Sequence, residues 1–267
     1  VDEAWSPVVL AESSSSTETL LEDLWTGAIP YAVFPGFLDK SECSGVIEAL
    51  KTAPMTTFKS GDALVSTLGV YLPDAVSDPD AYFARAAELE PAIASLLERG
   101  QGDVRDRIRL MFASHLKRPV VAATGPEGQE YGQGSLRVHG SGAGASVHRD
   151  VVSVDAAGWN VAEMDAQFSA VLMLQPPEAG GELTVYRQRW RPEDDTEFKN
   201  KGAKGWDPRV VEGAQVATYA AAAGDLYVFN PTQYHEVPLT SGESDRVSMQ
   251  FFMAFDFEGD GPVVTFS

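Results

Sequence analysis

A histidine, an arginine and an aspartate interrupt the valine-rich run "SVHRDVV" at residues 146–152. Valines favour a strand, and in a strand residues two apart project to the same face. That spacing sets His148 beside Asp150 and turns Arg149 to the other side. An imidazole next to a carboxylate is an ion pair, an acid–base pair or two-thirds of a metal site. The chain has four histidines, His115, His139, His148 and His235. His235 lies in "GDLYVFNPTQYHEVPL", a turn, strand and turn far enough along the chain to bring a distant strand back to the first. Two histidines and a carboxylate leave three positions open on a six-coordinate iron, enough for a bidentate cosubstrate and dioxygen. Zinc prefers a tetrahedral site with one opening. Soon after His235, "DRVSMQFFMAF" (245–255) places Arg246 and Ser248 on one face of an apolar strand. A guanidinium beside a hydroxyl suits a buried carboxylate through a forked, charge-assisted contact. The competing reading is a surface ion pair of Arg246 with Glu243 or Asp245.

These groups need strands to carry them. From about residue 117 the sequence runs in short β-like segments between turns: 135–139, 146–152, 166–174, 182–187, 214–219, 225–229, 235–239 and 246–255. Such spacing predicts a β-sandwich or barrel-like roll. Helices come first. In "AIPYAVFPGFLDKSECSGVIEAL" (28–50) a strand and a turn lead to a helix, with Asp39 and Glu42 at the capping-box positions and Val46, Ile47 and Leu50 as its apolar stripe. Residues 78–112 predict two helices separated near Pro91 or Gly100–Gly102. The whole chain, 1–267, therefore reads as one domain: an arm and helix (1–27), a strand with supporting helices (28–116), and a β-rich core (117–267). A polar insertion at 187–213, carrying Trp190 and Trp206, interrupts the core, and a loop of that length predicts a lid or binding loop.

Composition narrows the partners. An apolar fraction of 44% and an aromatic fraction of 10% suit an ordinary globule. The net charge of −19 disfavours nucleic acid and anionic membrane, both of which call for a basic footprint. Cys43 is the single cysteine, which excludes an intrachain disulfide and a cysteine-rich zinc site and fits a reducing, cytoplasmic setting. No run is long and apolar enough to span a membrane, and "VDEAWSPVVLAESSSSTETL" lacks the basic and apolar regions of a signal peptide.

The ordered set, HxD, then H on a later strand, then RxS, resembles the iron(II)- and 2-oxoglutarate-dependent oxygenases, in their prolyl-4-hydroxylase-like branch. The resemblance is carried by "FPGFLDKSEC", "LRVHGSGAGASVHRD", "QPPEAGGELTVY" and "AGDLYVFNPTQYHEVPLTSGESDRVSMQFF". Within that branch, "DAQFSAVLMLQPPEAGGELTVYRQRWRPED" and "FNPTQYHEV" are similar to the carrier-free amino-acid halogenases and their hydroxylase relatives.

The resemblance implies a mainly β fold with flanking helices, built on a double-stranded β-helix core of jelly-roll or cupin-like type. It implies His148, Asp150 and His235 as iron ligands, and Arg246, assisted by Ser248, as the partner of the distal 2-oxoglutarate carboxylate. The implied reaction consumes 2-oxoglutarate and dioxygen, releases succinate and carbon dioxide, and oxidises an unactivated C–H bond. In the halogenases the position of Asp150 is a small residue that leaves room for chloride; the carboxylate here implies a hydroxylase. The implied substrate is a small polar metabolite, a free amino acid or a derivative. Arg137 and His139, on the strand before the HxD, would face the barrel interior. Glu130 precedes that strand as a possible partner for a cationic substrate, and Trp159, Trp190 and Trp206 border loops at the expected mouth. Other readings stay open: a hydroxylase of a natural product, nucleoside or protein side chain, a cupin-like metal-binding protein without turnover, or a zinc or manganese hydrolase.

Overall fold

The computed structural model describes residues 5–10, 19–60, 63–201, 205–258 and 261–267. Parts of the N-terminal arm and residues 202–204 of the insertion lie outside them. Two sheets make the body. Among the described residues the larger has 10 strands and the smaller 4. The centre of the larger sheet is the antiparallel pair Ala166–Gln175 and Arg246–Phe255, flanked by Leu226–Phe229 on one side and Ser135–His139 on the other. The smaller sheet runs Val216–Tyr219, Leu183–Arg189, Gln233–Val237, Ala145–His148.

The central strands are buried at almost every position because both faces are covered. Along Ala166–Gln175, Val171 and Met173 face the smaller sheet and meet Leu183, Val185 and Ala217. Their neighbours Ala170, Leu172 and Leu174 face the helices. The same alternation sends Tyr227 and Phe229 inward and Leu226 and Val228 outward. The helical layer comprises Leu20–Thr26, Lys40–Leu50, Pro79–Leu97 and Val104–Leu116, whose Leu24, Val46, Leu50, Ile93, Ile108 and Phe112 complete that core.

The predicted capping box forms: the Asp39 carboxylate accepts from the Glu42 N–H at 2.8 Å, and Glu42 accepts from the Asp39 N–H at 3.1 Å. Of the two predicted helix breaks, the glycines win. Pro91 lies inside Pro79–Leu97, while Gly100 and Gly102, both at positive φ, form a small hairpin in which Glu98–Arg99 pairs with Gly102–Asp103.

Three sequence readings need correction. The segment 28–116 is not only helical support: Thr56–Ser60 and Ala63–Leu68 form a hairpin that extends the larger sheet beside Ser135–His139. Val120–Ala122 and Val263–Phe266 add two more strands. The strand expected over 146–152 ends at His148, because the backbone donors beyond it find other acceptors. The Asp150 N–H bonds to the Pro231 carbonyl at 2.9 Å, that of Val151 to the Asp155 carboxylate at 3.0 Å, and that of Val152 to Gln167 at 2.8 Å. A short helical turn, Val152–Asp155, follows. Among the described residues no helix is long and apolar enough to cross a membrane.

Candidate metal centre and anion pocket

His148 and His235 stand directly opposite each other on neighbouring antiparallel strands of the smaller sheet, with ring centroids 4.1 Å apart. Each imidazole is oriented by the same device. His148 Nδ1 lies 2.8 Å from the Ser146 carbonyl, and His235 Nδ1 lies 3.0 Å from the Gln233 carbonyl, in both cases two residues back. Nδ1–H therefore donates to backbone, and the Nε2 lone pair is left for a metal. Asp150 reaches the same place from the loop, with Oδ2 3.6 Å from His235 Nε2. One ligand atom from each of the three residues lies within 4.8 Å of the others. Two imidazoles and a carboxylate form the donor set that suits non-haem iron(II).

Electrostatics prepare the set for a cation. Burial and the nearby His235 push the His148 imidazole down to about 4, so it is neutral at pH 7. Burial opposes the charge on Asp150, but the adjacent edges of His235 and His148 and the hydrogen bond from Tyr71 outweigh it. Its carboxyl is held well below the usual carboxylate range. Tyr71 donates its hydroxyl to Asp150 Oδ1 at 3.0 Å, and its ring lies under the Arg137 guanidinium at 4.8 Å.

The cavity beside the triad is lined by His148, His235, Arg137, His139, Tyr227 and Arg246, with Ser248 and apolar side chains including Val171, Leu183 and Phe229. Arg246 is 5% exposed. Its Nε donates to the Gly181 carbonyl at 2.9 Å and a terminal nitrogen to Ser248 Oγ at 2.9 Å, while the other terminal nitrogen is 3.3 Å from the Tyr227 hydroxyl. All three partners are neutral, and no carboxylate among the described residues pairs with it. A buried guanidinium with only neutral partners is a demand for an anion. The surface ion pair with Glu243 or Asp245 is thus not what the structure holds. His139 faces Arg246 across the sheet, and burial, Arg246 and Arg137 lower its imidazole to about 3.

The remaining sequence candidates lie elsewhere. Glu130 is exposed and pairs through its backbone with Thr124. Trp159 is buried edge-on against Tyr82 and Tyr131. Trp190 and Trp206 flank the guanidinium of Arg149 and are not among the residues that line the cavity. Two side chains escaped the sequence reading. Tyr227 follows from alternation, since it shares a face with Phe229 on a recognised strand. Tyr71 sits in a loop distant in sequence, and no local pattern marks it.

Residues 9–261 match the family described as carrier-protein-independent halogenase WelO5. Two curated relatives are similar. L-gamma-glutamyl-L-propargylglycine hydroxylase of Streptantibioticus cattleyicolor is 26% identical over 262 residues, covering 93% of each chain. Leucinostatins biosynthesis cluster protein S of Purpureocillium lilacinum is 27% identical over 177 residues, 65% of this chain and 71% of that one. Among solved structures, an N-substituted L-amino acid dioxygenase from Burkholderia ambifaria AMMD superposes with a TM-score of 0.60 at 16% identity, covering 94% of this chain and 92% of that one. The family match and the donor set together define an oxygenase of the iron(II)/2-oxoglutarate class. Within that class, the chain belongs to the carrier-protein-independent halogenase family WelO5.

Proposed function

We propose that the protein is an iron(II)- and 2-oxoglutarate-dependent hydroxylase of a small amino-acid-like metabolite, built on a double-stranded β-helix. One observation carries the reading within a family named for halogenation: Asp150 supplies a carboxylate to the histidine pair. The named activities of two relatives, a hydroxylase of a glutamyl-propargylglycine and a dioxygenase of N-substituted amino acids, support the substrate class.

His148, Asp150 and His235 would hold the metal, and iron(II) supplies the activation of dioxygen coupled to 2-oxoglutarate decarboxylation. The chain's own residues do the rest. Arg246 and Ser248 receive the distal carboxylate of 2-oxoglutarate, and Tyr227 closes the same end of the cavity. Arg137, half-buried and stacked on Tyr71, offers a second cationic contact to cosubstrate or substrate. Tyr71 holds Asp150 Oδ1, which leaves Oδ2 turned towards the histidines. Val171, Leu183 and Phe229 keep water from the cosubstrate's methylenes.

The family match favours a second reading, halogenation, and one experiment separates the two. With iron(II), 2-oxoglutarate and a panel of free and N-acylated amino acids in saturating chloride, succinate release identifies the substrate and mass spectrometry the product. The expected product is an alcohol. A chlorinated product from the unmutated enzyme would overturn the hydroxylase reading, because Asp150 would then not occupy the position chloride needs.

A further inference from the structure

Arg149 is the residue between the two ligands of the HxD triplet, and its surroundings are unusual for an arginine. Its side chain is 4% exposed and pairs with Asp155. The guanidinium is flanked by two indoles, 4.6 Å from the centre of Trp190 and 5.2 Å from that of Trp206. Both indoles come from the insertion, and a single carboxylate oxygen locks them: Asp195 Oδ1 accepts from Trp190 Nε1 at 2.7 Å and from Trp206 Nε1 at 3.2 Å.

Backbone contacts fasten the same assembly to the ligand strand. The Trp206 N–H bonds to the Val147 carbonyl at 2.8 Å, and that of Trp190 to the Thr232 carbonyl at 3.2 Å. Gly205, at φ +91°, passes so close to the strand that a Cβ there would lie 2.5 Å from Ser146 Oγ and 2.8 Å from the Val147 carbonyl oxygen. Val147, Tyr234, Val210 and Val211 fill the space beneath. Tyr234, the neighbour of His235, donates to Asp194 at 3.1 Å. The insertion thus touches the residues adjacent to all three metal ligands.

We infer that the insertion is a clamp on the metal centre: by gripping Arg149 between Trp190 and Trp206, it fixes the turn that presents His148 and Asp150 together. Asp150 lies past the end of its strand, so ladder hydrogen bonds do not set its position. Backbone bonds to Pro231, Asp155 and Gln167 stand in for the ladder there, and the anchoring of the adjacent Arg149 adds a side-chain hold on the same turn. Trp190, Trp206 and Asp195 are positioning residues, acting through Arg149 rather than on substrate. This inference rests on the triad being a metal site.

The test compares two indole deletions, at the half-buried Trp190 and the buried Trp159 (Trp190→Leu and Trp159→Leu), with His148→Ala as the reference for loss of a ligand. The probe is cobalt(II) titrated into the full chain with 2-oxoglutarate under argon, read by its visible d–d bands, with thermal unfolding of the metal-free chain measured alongside. Loss of supports behind metal ligands weakens metal binding by about 10- to 100-fold. Trp190→Leu is expected to weaken cobalt binding about 10-fold, and Trp159→Leu to lower the unfolding temperature without changing that affinity. Trp190→Phe, which keeps a smaller aromatic ring beside Arg149 but loses the indole N–H to Asp195, covers the case in which the leucine variant does not fold. Wild-type affinity in every folded Trp190 variant would overturn the clamp. Equal affinity in wild type and His148→Ala would instead overturn the metal assignment beneath it.

Discussion

Replacing Arg246 by methionine should separate cosubstrate binding from metal binding. The guanidinium is 5% exposed, and its three hydrogen-bond partners are a carbonyl and two hydroxyls, all neutral. Without an anion it is a buried charge held only by dipoles, so an apolar side chain of similar length costs the cosubstrate-free fold little. With 2-oxoglutarate bound, the same substitution leaves a desolvated carboxylate facing Ser248 and Tyr227 alone. Truncating one partner of such a buried, hydrogen-bonded charge pair costs about 2–5 kcal/mol. At about 1.4 kcal/mol per factor of ten, affinity for 2-oxoglutarate should fall between about 30-fold and about 4000-fold. The assay is anaerobic titration of the iron(II)-loaded protein with 2-oxoglutarate, following the visible charge-transfer band, with iron affinity and unfolding temperature measured in parallel. Iron binding and stability should stay near wild type. If iron loading collapses while 2-oxoglutarate affinity holds, Arg246 is a framework residue and the anchor assignment is wrong.

Removing one imidazole should abolish that charge-transfer band: His235→Ala leaves His148 and Asp150 as the remaining ligand side chains, and a band of undiminished strength would refute the triad. Acid should destabilise the metal-free protein partly through His139, whose imidazole is lowered to about 3 against about 6.5 in an unfolded chain. Between those values the unfolded state binds the extra proton, so stability is full above about pH 6.5 and declines as pH falls towards about 3. Denaturant unfolding at pH 7 and pH 5 should show a smaller difference in His139→Gln than in wild type, and an equal difference would remove His139 from the account.

Parts of the fold were legible because local chemistry fixes them. Asp39 and Glu42 announce a helix start wherever they fall three apart before an apolar stripe, and "DRVSMQFFMAF" can be little other than a buried strand. The hairpin Thr56–Leu68 was not legible: Lys59, Ser60 and Ser66 dilute its alternation, and it earns its place only by pairing with Ser135–His139. The histidine and aspartate of the site were visible as residue types, and the cross-strand pairing of His148 with His235 follows from strands that alternation already marks. How Asp150 arrives was not visible. Period two puts it beside His148 on a strand, whereas Asp155, Gln167 and Pro231 draw the backbone out of the ladder just before it. The tryptophans of the insertion misled for a related reason: indoles in a polar loop suggest a mouth, and nothing local shows that Arg149 and Asp195 are their partners.

That division of labour among the ligands bears on how such a chain diversifies. His148 and His235 are built into the sheet, directly opposite each other, and each imidazole is bonded to a carbonyl of its own strand. The carboxylate hangs from a loop whose backbone bonds to Pro231, Asp155 and Gln167 are made whatever side chain position 150 carries. Only the Tyr71 hydroxyl and the His235 edge would lose a partner if it shrank. On the proposed reading the scaffold separates holding the metal from choosing the chemistry: two donors stand in the ladder of the smaller sheet, and the one proposed to decide between oxygen and halogen hangs from a loop whose backbone bonds do not depend on its side chain.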